Sequence, residues 1–117
     1  MVAKTQIDKK FKKVKDISEL NLIVMKKVPL AARYELVAEE ATELAHSSLK
    51  IARILRKENP TPKTIAQAKR EAEEELNDLI NAITVTEDLR VDLDSRIRKM
   101  KRWIKRLEEG KNEECVR

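Results

Sequence analysis

The sequence predicts an all-α fold, a bundle of four or five helices completed by self-association, and three observations carry that expectation. Glycine occurs once, proline three times and aromatic residues make up 3% of the 117 positions, so the turn residues and aromatics that a strand-rich domain uses are scarce. Charged residues reach 40%. Apolar residues recur every three or four positions along several long stretches, the signature of helices with one buried face. The length suits one domain, residues 1–117. Its core would be thin and aliphatic, and the stripes it leaves bare are what a second copy covers, so a homodimer or homotetramer is expected.

Taken in order, residues 1–27 form a basic helical arm. Ile7, Phe11 and Val14 sit at helical spacing among lysines, and a second apolar cluster follows at Ile17, Leu20, Leu22, Ile23 and Val24. Such an arm either packs across the bundle or a partner subunit, or lies on nucleic acid or a membrane surface; packing is the expected role. Val28-Pro29 marks a break, because the residue before proline avoids the helical region. A long helix then runs from about Leu30 to Lys57, with Val37, Ala41, Leu44, Ser48, Ile51 and Leu55 as its core stripe. Asn59-Pro60-Thr61-Pro62 forms a stiff loop. Thr64 with Gln67 opens the next helix as a capping box; that helix runs to about Val85, burying Leu76, Leu79, Ile80 and Ile83. After a weak break at Thr86-Glu87-Asp88, the last helix carries Leu93, Ile97, Met100, Ile104 and Leu107. Asp92 or Asp94 caps it, Gly110 is placed to end it as the residue just past its C-terminus, and 111–117 is expected to be a disordered tail.

The formal net charge is +5, with lysine excess in the first arm, most acids in the middle and a basic last helix. A basic balance raises nucleic acid or a phosphate-rich ligand as partner. No apolar run approaches membrane-spanning length and no secretory signal opens the chain, so no membrane partner is expected. The lone Cys115 offers no disulfide framework within one chain and suits a reducing compartment. The expected location is the cytoplasm.

Two acidic motifs organise the chain. Glu39-Glu40-Ala41-Thr42-Glu43 and Glu75-Leu76-Asn77-Asp78 each fall on a long amphipathic helix. Residues three apart share a helix face, so Glu40 projects with Glu43 and Glu75 with Asp78. The short loop between the helices makes them antiparallel neighbours, and the four carboxylates can converge on one groove. Like charges so gathered call for a cation, and a hard divalent ion is the natural one. Either motif alone occurs by chance in Glu-rich helices, and Glu71, Glu73 and Glu74 read as a solvated face. Gly-rich phosphate loops, nucleophile elbows and Cys–His zinc patterns are all absent, so phosphate chemistry here would be run by the metal.

With these residues in view, the sequence resembles the all-α nucleoside triphosphate pyrophosphohydrolases, the MazG-like group, whose E-E-x-x-E and E-x-x-D motifs are met by Glu39, Glu40, Glu43, Glu75 and Asp78. The stretch Tyr34 to His46 and the Asn59-Pro60-Thr61-Pro62 loop look like the small phage and bacterial members, and the likeness covers about Ala31 to Leu107. It implies hydrolysis of a nucleoside triphosphate to the monophosphate and pyrophosphate with Mg²⁺, for which Mn²⁺ can substitute, and makes Glu40, Glu43, Glu75 and Asp78 the metal ligands. Glu39, one turn from Glu43, could orient or deprotonate the attacking water, although a metal-bound water serves equally well.

The remaining candidates bind substrate. Lys50, two turns beyond Glu43 on the same arc, could hold phosphate, or be an ordinary surface lysine. His46 could touch phosphate or sugar, or be merely exposed. Asn81, one turn past Asp78, could bond a base or ribose, or be a structural asparagine, buried or exposed. Trp103 could stack on a base, or belong to core or interface. Against the enzyme stands a non-enzymatic basic helical module that binds nucleic acid or a protein through the basic ends of the chain. The acids would repel nucleic acid, so that partner is not expected.

Overall fold

The computed structural model describes residues 16–58 and 62–110, and these contain four helices and no strand. The all-α expectation is correct. The expected helix at Lys4–Lys15, the residues Asn59, Pro60 and Thr61, and the tail beyond Gly110 lie outside the described residues.

Helix α1 (Ile17–Lys27) starts at Asp16, whose carboxylate accepts the Glu19 amide at 3.1 Å, an N-cap that satisfies one of the free amides of the first turn. Lys26 and Lys27 lie at its negative end. Val28 is extended ahead of Pro29, as the proline ring demands. Helix α2 (Leu30–Arg56) follows. Its end is closed by Lys57, which is left-handed at φ 59°; the Lys57 and Glu58 amides bond the Ile54 and Arg53 carbonyls at 3.1 and 3.0 Å. That is the Schellman arrangement with lysine in the place glycine favours. Helix α3 (Ile65–Thr86) opens with the expected capping box, Gln67 N–H to Thr64 Oγ1 at 3.1 Å and Thr64 N–H to Gln67 Oε1 at 2.9 Å. It stops in a γ-turn: the Asp88 amide bonds the Thr86 carbonyl at 2.7 Å across Glu87, held at φ 63°. Helix α4 (Leu93–Gly110) is capped by Asp92, not Asp94, through the Ser95 amide at 2.9 Å. Gly110 does not terminate it as expected. It is the helix's last described residue and has no positive φ.

Helices α2 and α3 form an antiparallel hairpin, as the short loop predicted, and α1 lies across α3. Arg33 ties the ends together, donating through Nε to the Val28 carbonyl at 3.0 Å and through Nη1 to the Val85 carbonyl at 2.8 Å. The stripes differ from the expected ones. Val37, Leu44 and Ile51 are half-buried as expected, but Ala41, Ser48 and Leu55 are exposed, while Leu36, Glu40, Ser47 and Ile54 take the inner positions. On α3, Leu79 and Ile83 are half-buried, whereas Leu76 and Ile80 stand out at 45% and 51% exposure. Among the described residues, those fully buried are Ala68, Ala82, Val85 and Thr86. The most enclosed positions on α3 are mostly small side chains, with Leu36, Val37, Leu44, Ile51, Ile54, Leu79 and Ile83 half-buried on the two helices. Thr86, the most enclosed polar group, bonds the Ala82 carbonyl at 2.7 Å, which removes the penalty of burying its hydroxyl.

Candidate metal centre

Glu40 reaches the seam from α2 because it falls between Val37 and Leu44 on the inward stripe. Glu75 and Asp78, three apart, project together from α3. Each of the three can offer an oxygen within 4.8 Å of the other two. Glu40 and Glu75 are half-buried and Asp78 is exposed. None of the three is ion-paired among the described residues. Burial pushes the Glu40 carboxyl above the usual glutamate value, and the charges of Asp78, Glu39, Glu75 and Glu43 push it further. Each negative charge in the group raises the cost of ionising the others, a cost that a positive charge placed among them would lower.

The contrast one turn away is instructive. Glu71 has both oxygens 2.7 Å from Lys63 Nζ, and that hydrogen bond, with the nearby charges of Lys63 and Lys50, holds its carboxyl below the usual value. Glu71 is therefore satisfied, while the three acids beyond it are not.

Glu43 lies outside the three-way group, although its charge reaches Glu40. Glu39 is exposed beside it and also raises Glu40. Lys50 is exposed and stands near Glu71, about one turn of α3 from Glu75. Asn81 lines the cleft described next. His46 is exposed and does not line it. Trp103 sits on α4 in a separate concavity with Lys99, Arg102 and Arg106, apart from the acids.

The cleft, about 290 Å³, opens where α1 crosses the hairpin. Glu40, Asp78 and Asn81 edge it; Leu20 and Val24 of α1 and Leu36 of α2 supply apolar wall, and Asn21 adds a second amide. Sequence reasoning missed the α1 contribution. Its signal was there: Asn21 is a polar residue inside the apolar run from Leu20 to Val24, the mark of a side chain aimed at something other than core.

No family model, curated protein or solved structure matches this chain.

The donor set fits one class of ion. Carboxylate oxygens without thiol or imidazole suit a hard cation such as Mg²⁺ or Mn²⁺, and leave coordination positions for phosphate and water.

Proposed function

We propose that this protein is a Mg²⁺-dependent nucleoside triphosphate pyrophosphohydrolase of the MazG-like all-α type, cleaving a (deoxy)nucleoside triphosphate to the monophosphate and pyrophosphate. One observation carries the reading: three carboxylates from two helices, none ion-paired among the described residues, gather within 4.8 Å of one another, and two of them, Glu40 and Asp78, edge an apolar cleft about 290 Å³ in volume. A triphosphate is the ligand whose two ends match those two environments.

Glu40, Glu75 and Asp78 would hold the ion, with Glu43 one turn further along α2 as the fourth oxygen donor. Bound Mg²⁺ supplies charge neutralisation at the phosphates and acidifies coordinated water. The chain's own groups do the remainder. Leu20, Val24 and Leu36 take the base and exclude water from around it. Asn21 and Asn81 present amides that can bond base or ribose edges. Glu39, exposed beside the acids, orients the water that attacks the α-phosphorus as the α–β anhydride bond breaks and pyrophosphate leaves. Lys50 neutralises the departing phosphates, reaching over Glu71, whose own charge Lys63 already holds. Trp103 and His46 have no part in this arrangement. We read the working form as a homodimer or homotetramer, since large apolar residues on α2, α3 and α4 are left uncovered.

The test is pyrophosphate release from a panel of triphosphates, with and without Mg²⁺. Asp78→Asn and Glu75→Gln should each lower turnover at least about 100-fold, the scale of several kcal/mol of lost charge stabilisation, with helix content unchanged by circular dichroism. Absence of pyrophosphate from every triphosphate, or full turnover in both variants, rejects the reading. A non-enzymatic module is the competing reading, and the bare basic face of α4 favours it. It requires salt-sensitive nucleic-acid binding that survives removal of the acids.

A further inference from the structure

Among the described residues one ion pair is close. Both Glu71 carboxylate oxygens lie 2.7 Å from Lys63 Nζ, and the two side chains are half-covered. Arg56–Glu58 and Lys105–Glu109 are 3.9 and 4.0 Å apart and stand well out in solvent, where water and salt leave an ion pair little hold. Only the Lys63–Glu71 pair fixes where a charge sits.

The pair sits at the loop end of the hairpin, beyond the acids. Lys63 precedes the Thr64–Gln67 capping box and reaches back over the first turns of α3 to Glu71. Helical side chains lean toward the N-terminus of their helix. Glu71 therefore leans toward Lys63 and away from Glu75. Because α2 runs the other way, the same rule leans Lys50 toward Glu43 and the acids. Counting along the antiparallel hairpin from Arg33 against Val85 and Glu40 against Asp78 puts Lys50 level with Ala68, about one turn from Glu71. Glu71 thus has two cations near it. Lys63 bonds it. Lys50 lowers its carboxyl by charge yet makes no ion pair among the described residues.

We propose that Lys63 is a positioning residue: by occupying Glu71 it keeps the Lys50 ammonium free for the far phosphates of a polyphosphate held at Glu40, Glu75 and Asp78. The proposal rests on the part given to Lys50 above. A polyphosphate chain carries more negative charge than one divalent ion offsets, so its far end calls for a second cation. Lysine suits that place because its ammonium is a point charge on a flexible stem. The same flexibility makes it easy to divert. With both Glu71 oxygens already on Lys63, a second ammonium gains little there. Without Lys63, Glu71 is a free carboxylate one turn from Lys50, and the two close on each other. The Lys50 charge is then spent within the protein.

The experiment titrates inorganic tripolyphosphate, in excess Mg²⁺, into the full chain by calorimetry, so that affinity is read without turnover. Lys50→Gln and Lys63→Met should each bind about 10-fold more weakly than the parent, the scale of one lost charge-assisted hydrogen bond. Combining them should add little, because in Lys63→Met the Lys50 ammonium is already held. Lys63→Met with Glu71→Gln should bind as the parent does, since nothing is left to capture Lys50. Glu71→Gln alone should bind no more weakly than the parent; weaker binding overturns the proposal even if Lys63→Met does not fold. Parent-like affinity in Lys63→Met overturns it too. So do losses that add in the Lys50–Lys63 double variant, which would make Lys63 a phosphate contact in its own right. A Lys63–Glu71 double variant that stays weak with helix content intact would make the role structural, and a parent that binds no tripolyphosphate leaves Lys63 nothing to position; both overturn it. Turnover separates this from the chemistry proposed above. A parent that shows the predicted binding pattern but releases no pyrophosphate removes the hydrolase and keeps the part of Lys63. A parent that turns over with an affinity indifferent to Lys50 and Lys63 removes the part of Lys63 alone.

Discussion

Arg33 and Glu40 sit seven residues apart on the inward stripe of α2 and play opposite parts. Arg33 joins two helix ends by donating to the Val28 and Val85 carbonyls, groups at the negative ends of α1 and α3 that have no partner in their own helices. Charged hydrogen bonds of this kind contribute about 1.5–3 kcal/mol each, and neighbouring ones are not additive. Arg33→Ala should therefore lower stability by about 2–4 kcal/mol in urea unfolding, with Arg33→Lys between it and the parent; an unchanged midpoint would mean that water replaces the guanidinium at both carbonyls. Glu40 works against the fold. Its carboxyl titrates above the unfolded value because of burial and four neighbouring acids. A group raised in this way stabilises the fold fully below its unfolded pKa, and that contribution is lost as pH rises through the folded value. Glu40→Gln should thus melt higher than the parent at pH 7 without metal, with the difference shrinking toward pH 4. It should also lose whatever rise in melting temperature Mg²⁺ gives the parent. A lower melting temperature at pH 7 would mean Glu40 already has a stabilising partner.

The helices themselves carry their boundaries in local chemistry, which is why most of them could be read in advance. Pro29 fixed one break and Thr64–Gln67 another. Thr64→Ala should cost about 1 kcal/mol through loss of the cap, measured by thermal or urea unfolding. Two boundaries rest on strained non-glycine residues that no sequence rule marks: Lys57 at φ 59° and Glu87 at φ 63°. Left-handed backbone costs an L-residue about 1–2 kcal/mol, part of which glycine returns through its greater unfolded-state entropy. Lys57→Gly should raise stability by up to about 1 kcal/mol; a loss would show that the Lys57 side chain contributes more than its backbone gives up. The stripes were less legible. Reading by size placed Leu76, Ile80 and Leu55 inside, yet these three are exposed, while Ala68 and Ala82 are among the most enclosed residues and Val37, Leu44, Ile51, Leu79 and Ile83 are half-buried as read. Apolar bulk marks a face that will be covered, and in a chain that presents several such faces it does not say by what.

At the scale of the molecule, three of the four acids that sequence spacing grouped on two helices come together, since the hairpin brings Glu40 opposite Glu75 and Asp78. Helix periodicity alone sufficed for that, because both motifs use the same three-residue step. Glu43 drops out of the closest group because Glu40 lies on the half-buried face of α2 while Glu43 is exposed. The cleft beside the acids was not legible, for it depends on α1 crossing α3, a contact between segments far apart in the chain that no local pattern encodes. Nor was the separation of Trp103 from the cleft, which follows from where α4 leaves the hairpin after the strained turn at Glu87. The claim on which the rest depends is that Glu40, Glu75 and Asp78 bind a divalent ion together. Anomalous diffraction from crystals grown with Mn²⁺ and a non-hydrolysable nucleoside triphosphate tests it most directly. A peak is expected within coordinating distance of all three carboxylates and of phosphate oxygens, absent in Asp78→Asn. A Mn²⁺-saturated crystal with no peak among those three side chains, or with the nucleotide bound elsewhere, would contradict it.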